Sequence, residues 1–226
     1  TRMSIAKKKK TGKKRGVVLI TGFEPFGGER MNPSQEIARN LHGKVIAGHE
    51  VVGALLPCVF GEANAELRRL LKEHGPVLVI CVGQAGGRAA ITPERVAINV
   101  DDARIADNAG AQPTDQAIVR GGPAAYFSTL PVKAIVAALR AGGVPAEVSQ
   151  TAGTFVCNHV FYGLMHALRG KRGVRGGFMH VPFLPEQAKT GEPSLPLKTM
   201  TSAVALAVET ALRNKRDVRA RGGATH

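Results

Sequence analysis

The chain has 226 residues, 44% of them hydrophobic and 21% charged, enough for one globular domain with a full core. No apolar run approaches the ~20 residues of a membrane-spanning helix, the first residues carry no signal-peptide pattern, and three cysteines without a CxxC pair argue against a disulfide framework and against a zinc site. The formal net charge of +14 suggests nucleic acid, but aromatic residues are 4% with no Trp, which argues against a base-stacking platform.

Residues 1–16 (TRMSIAKKKKTGKKRG) hold eight Lys/Arg and no acid, so they are expected as a disordered basic arm. VVLIT (17–21), rich in β-branched residues and followed by Gly22, predicts a buried strand. GFEPFGGERMNP (22–33) reads as a loop. Ser34 is placed to cap a helix, SQEIARNL, with Ile37, Ala38 and Leu41 on one face. VVGALLP (51–57) predicts a second strand. EANAELRRLLKEH (62–74) predicts a helix with Leu67, Leu70 and Leu71 inward and Gly75 as its stop. VLVICVG (77–83) is unbroken apolar sequence, as in a central strand covered on both faces.

Residues 84–126 are crowded with Gly, Pro, Asn and Asp, and ERVAINV is their one strand-like piece. An irregular stretch of that length in a compact domain points to function or mobility. Pro131 opens a helix with Ile135, Val136 and Leu139 inward. AEVSQT (146–151) predicts a strand, and NHVFYGLMHALRG (158–170) a helix striped by Phe161, Leu164, Met165 and Leu168. GGFMHVP (176–182) predicts a strand and TSAVALAVETALRNK (201–215) the last helix. Residues 213–226 hold five Lys/Arg and one Asp, a second basic tail expected to be disordered, which leaves a net charge of only +2 for 17–212. Strands alternating with helices predict one α/β domain over 17–212, with a largely parallel sheet and helices on both faces.

TAGTFVCN (151–158) places Cys157 at the mouth of a helix, where unpaired N–H groups and the macrodipole favour thiolate. Small residues around Gly153 admit a substrate backbone, and nearby N–H groups can receive an oxyanion. Cys81 reads as core and Cys58 as structural or pocket-lining. A nucleophilic cysteine needs a base, and among seven histidines His180 stands near the C-terminal end of a strand, the edge where ligands collect in parallel sheets. Glu94 is one carboxylate able to orient the imidazole, with Asp101, Asp102 and Asp107 as competitors that periodicity does not separate. Neither GFEPFGG nor QAGGR matches a phosphate-loop pattern.

Six ordered blocks carry a resemblance: TGFEPFGGERMNPS, ICVGQAGGR with ITPERVAIN, DDARIADNAG, GGPAAYFSTLP, SQTAGTFVCNHVFYGLMH and RGGFMHVPFLPEQ. Together, from about Val17 to about Pro193, they resemble the pyroglutamyl-peptidase I (pyrrolidone-carboxylate peptidase) family. The resemblance implies an open three-layer α/β/α sandwich around a twisted mixed sheet. It also implies a cysteine exopeptidase, an omega-peptidase, that hydrolyses the amide after an N-terminal pyroglutamyl (5-oxoprolyl) residue through a thioester. Cys157, His180 and Glu94 match the family's nucleophile, base and orienting carboxylate. Phe23 and Phe26 match phenylalanines that sandwich the lactam, and Gln84 matches a residue that contacts it. Phe155 and Val156 are expected to line the pocket, and Arg104 matches an arginine near the site. The resemblance further implies peptides with N-terminal pyroglutamate as partners, no metal or organic cofactor, and a homotetramer; a cytoplasmic location is expected from the unpaired cysteines. It does not reach the basic arms, whose electrostatic attachment to nucleic acid is kept as a secondary route. Two rival readings are a nucleic-acid-associated platform and a different enzyme on a similar fold, such as a nucleoside phosphorylase.

Overall fold

The computed structural model describes residues 16–223; the basic residues 1–15, nearly all of the expected first arm, and residues 224–226 lie outside the described residues. In chain order the elements are β1 (Val17–Phe23), α1 (Pro33–Leu41), β2 (Val45–Ile46), β3 (His49–Leu56), α2 (Glu62–His74), β4 (Leu78–Gln84), β5 (Thr92–Pro93), β6 (Val96–Ile98), β7 (Ala125–Phe127), α3 (Val132–Ala141), α4 (Val156–Leu168), β8 (Arg175–Val181) and α5 (Leu197–Arg213). Six strands form one sheet in the order β2-β3-β1-β4-β8-β5. The four inner strands are parallel, and the two short edge strands are antiparallel to their neighbours. β6 and β7 make a separate antiparallel pair.

Alternation along the strands divides the core in two. Val18 and Ile20 of β1 and Leu78, Ile80 and Val82 of β4 pack under α1, α3 and α5. Leu19 and Phe23 of β1, Val79 and Cys81 of β4 and Phe178 of β8 pack under α2 and α4. The result is the expected three-layer sandwich on a mixed, largely parallel sheet. All seven residues of β4 are buried, which explains its unbroken apolar sequence. The helix α1 lies directly on β1 and β3 because both strands carry a glycine there. A Cβ on Gly22 would come within 2.1 Å of the Ser34 carbonyl oxygen, and one on Gly53 within 1.9 Å of that of Ala38.

Several boundaries differ from the sequence expectation, each for a local reason. The N-cap of α1 is Asn32, whose Oδ1 accepts from the Ser34 N–H and hydroxyl; Ser34 Oγ in turn accepts from the Phe23 N–H. The second predicted strand begins earlier, at His49, because Ala47 and Gly48 both take positive φ and turn a hairpin from β2. Residues 146–151 do not form a strand. They bridge the β5 segment at two points only, Ile91 with Ala146 and Glu94 with Ser149. Beyond α5 the described part of the basic tail makes specific contacts. Asp217 accepts from the Lys133 and Ala134 N–H groups at the start of α3, and the Gly222 carbonyl accepts from Arg95 Nη2.

Candidate active site

The inner strands β4 and β8 end side by side, with Gly83 in register with His180. On the other side of β8, Thr92 of β5 is also in register with His180. Two residues on, Glu94 is fully buried, and its Oε1 lies 2.7 Å from His180 Nδ1. The competing carboxylates are committed elsewhere. Asp101 Oδ2 lies 2.8 Å from His159 Nδ1, Asp107 accepts the N–H groups of Phe60, Ala109 and Ala111, and Asp102 is exposed.

Cys157 is the second residue of α4, which begins at Val156 rather than at Asn158. Its Sγ sits over Gly83: a Cβ there would come within 2.9 Å of it. Sulfur and imidazole therefore lie on the same face of the sheet edge, the α4 face, and the sulfur can lie over β4 there because residue 83 has no side chain. Among the described residues no hydrogen bond joins Cys157 to His180. The Glu94 contact occupies Nδ1, so Nε2 is the ring nitrogen left to accept a proton. His159, two residues from the cysteine, is unsuited to that part. Its Nδ1 faces Asp101, and its Nε2 accepts from the Gly61 N–H at 3.0 Å.

The electrostatics correct the thiolate expectation. Burial pushes the Cys157 thiol well above its ordinary value, Cys58 and Glu94 add to that, and Arg88 opposes it. Burial likewise holds the His180 imidazole below its ordinary 6.5, although Glu94 pulls upward. Both shifts favour a neutral thiol beside a neutral imidazole. The helix mouth still offers something to chemistry. No side chain caps α4 at Phe155, so its first N–H groups, which have no partner within the helix, are open to a developing oxyanion. Cys58 and Cys81 are buried core thiols, each pushed up to about 12, chiefly by desolvation.

The remaining expected residues divide. Phe26 and Phe155 are half-buried with ring centroids 5.9 Å apart, and Phe60, which sequence reasoning passed over, stands edge-on to Phe155 at 5.4 Å. Phe23 is 2% exposed against Phe178, and Val156 is fully buried. In this conformation their side chains support the site from the core. Gln84 directs its side chain away from Cys157, because strand residues alternate and Gly83 faces the sulfur. Its Oε1 accepts from Gln187 Nε2 at 3.0 Å. Arg104 is exposed. A different arginine, Arg88, reaches Glu94 Oε1 at 2.7 Å. No group of three or more His, Cys, Asp or Glu among the described residues is arranged to hold a metal.

The family model for pyroglutamyl peptidase matches residues 16–214. The chain belongs to the pyroglutamyl peptidase family. A pyrrolidone-carboxylate peptidase of Klebsiella pneumoniae is 60% identical over 211 residues, covering 92% of this chain and 99% of that protein. One of Ralstonia nicotianae is 61% identical over 213 residues, with the same coverage. Among solved structures, pyroglutamyl peptidase I of Bacillus amyloliquefaciens superposes with a TM-score of 0.87 at 50% identity, over 90% of this chain and 100% of that one. A mutant pyrrolidone carboxyl peptidase of the hyperthermophile Pyrococcus furiosus gives 0.85 at 45%, over 87% and 98%. The part of the chain that matches the pyroglutamyl peptidase model therefore contains the whole sheet and the Cys157, His180 and Glu94 edge.

Proposed function

We propose that this pyroglutamyl peptidase hydrolyses the amide bond after an N-terminal pyroglutamyl residue with Cys157 as nucleophile, His180 as base and Glu94 as the carboxylate that orients it. The observation that carries the site assignment is the shared edge: Sγ over Gly83, Gly83 in register with His180, and His180 Nδ1 on Glu94. In this reading His180 Nε2 takes the thiol proton as Sγ bonds to the scissile carbonyl carbon. The open N–H groups of α4 receive the oxyanion. Collapse expels the amine, which leaves with the proton from Nε2, and a thioester remains. Water then gives a proton to Nε2 and attacks the thioester carbon. Sulfur departs, takes the proton back, and pyroglutamate is released. Because the resting pair is neutral, general-base transfer during attack replaces a preformed thiolate.

The lactam is flat, uncharged and apolar on both faces, and it suits the Phe26, Phe155 and Phe60 surface, which Phe23 and Val156 support from below. The Gln84 amide is held by Gln187, leaving its main chain at the end of β4 as the part available to the lactam. Arg104 stands at the rim of this reading as an exposed residue. No helix among the described residues is long and apolar enough to cross a membrane. The same proposal, on three free thiols and on the family likeness, includes a cytoplasmic location and a homotetramer.

The test is release of a fluorescent amine from a pyroglutamyl amide by the native chain and by Cys157→Ser, with reductant present. Rapid release by the native chain and none by the variant is the expected result. Equal release by both would remove Cys157 from the reaction, and none by a folded native chain would remove the activity.

A further inference from the structure

Arg88 stands where sequence motifs put no function. Its Nη1 donates to Thr92 Oγ1 at 2.6 Å and to Glu94 Oε1 at 2.7 Å, and its Nη2 donates to the Thr151 carbonyl at 3.1 Å. Thr92 is the register partner of His180, and Thr151 begins the TAGTF loop that leads into Cys157. One guanidinium thus joins the Thr92–Glu94 segment, which pairs with β8 beside His180, to the distant loop that leads into Cys157.

Charge and burial set this contact apart from a surface ion pair. The Glu94 side chain is 0% exposed and that of Arg88 28%. Glu94 Oε1 is shared between Arg88 and His180, while Oε2 is buried without a hydrogen-bond partner. The orientation of the carboxylate therefore depends on one oxygen held from two directions. Removing the guanidinium would leave a buried carboxylate with the imidazole alone and no compensating charge. The planar fork matters as well, since a lysine ammonium does not reproduce two nitrogens bonding a carboxylate and a carbonyl in fixed relation.

We propose that Arg88 is a positioning residue for the peptidase reaction, a clamp that holds Glu94 against His180 and ties the loop before Cys157 to the same carboxylate. This rests on the reaction proposed above. The charged and titratable groups around His180 are Glu94 and Arg88 from the β5 side and Cys157 from α4. The Arg88 charge opposes the upward push on the thiol and adds to the downward push on the imidazole. The first effect eases loss of the thiol proton, and the second keeps the imidazole free of a proton at rest while making it a weaker base.

The experiment is a double-mutant cycle on the full chain, with Arg88→Gln, Arg88→Lys, Glu94→Gln and the Arg88→Gln/Glu94→Gln pair. It reads kcat and KM for the fluorescent pyroglutamyl amide, and separately the rate at which iodoacetamide alkylates Cys157, located by peptide mass. Arg88→Gln should lower kcat by about 10–100-fold, the scale found when the hydrogen-bond partner that orients a metal-bound imidazole is removed, with KM little changed. Arg88→Lys should recover part of the loss. On the Glu94→Gln background the Arg88→Gln loss should shrink to about threefold or less, because the two residues act as a unit. Alkylation of Cys157 should also slow in Arg88→Gln. Native kcat in Arg88→Gln, or the same loss on both backgrounds, would overturn the clamp. A native chain without peptidase activity would remove the proposed reaction, and equal alkylation rates in native and Arg88→Gln would then overturn the clamp independently. Should Arg88→Gln not fold, Arg88→Lys carries the cycle.

Discussion

At Cys157 and His180 burial acts in opposite directions on two groups, and that has a consequence for pH. The base must be uncharged to accept the thiol proton, so activity is lost as His180 is protonated on acidification. Because His180 is held below 6.5, the acid limb of kcat/KM should be centred below pH 6.5. A pH–rate profile with its acid limb centred at or above 6.5 would contradict this. Gly83 is the second residue-scale lever. An alanine there would bring Cβ within 2.9 Å of Cys157 Sγ and 2.8 Å of Phe178 Cζ, so the sulfur must shift. Misplacement of a reacting atom by ~1 Å costs about 100-fold, so Gly83→Ala should lose activity of that order while remaining folded by circular dichroism. The cysteine, histidine and glutamate were legible as residue types in recognisable blocks. Gly83 and Arg88 were not: Gly83 matters through Cys157, distant in the chain, and Arg88 through an irregular turn that brings it back onto Glu94 and Thr151.

The helix α4 is the element on which the site is built, and its polar residues bind the irregular region to it. Asn158 is fully buried; its Oδ1 accepts from the Ile98 N–H, and its Nδ2 donates to the carbonyls of Ile98 and Val100. The Thr154 hydroxyl holds the Asp102 carbonyl just before the helix, and the Tyr162 hydroxyl holds that of Pro123. Apart from the short β6–β7 pair, where ERVAINV forms the expected strand, the 84–126 stretch is thus ordered by side chains, which is why strand and helix patterns describe so little of it. Asn158→Ala leaves three backbone groups without partners. With about 1–3 kcal/mol for each buried polar group left unsatisfied, we expect a loss of about 3 kcal/mol or more in urea unfolding. A loss under about 1 kcal/mol would show that water replaces the side chain. The 146–151 expectation failed for a related reason. Its alternation is strand-like, but β5 is two residues long and offers no extended partner.

Over the whole molecule, the described tail changes the reading of the charge. Asp217, the one acid in a basic segment, supplies the start of α3 with the cap that Pro131 cannot provide, 84 residues away in sequence. Asp217→Ala should lower the unfolding free energy by about 1 kcal/mol, the usual value of a helix cap, with kcat/KM unchanged. An unchanged unfolding midpoint would show that the tail is not coupled to the fold. Composition and periodicity were sufficient for the α/β class, the buried central strand and the inward faces of the helices, because each depends on a pattern a few residues long, whereas the thiol hydrolase and its residues came from the resemblance of whole blocks to a family. The family blocks already pointed to Glu94, His180 and Cys157; tertiary structure alone decided that Asp101, Asp107 and His159 are occupied elsewhere and that Arg88 reaches Glu94. Those choices depend on register across β4, β8 and β5 and on burial, and both arise only when segments remote in the chain pack at one sheet edge.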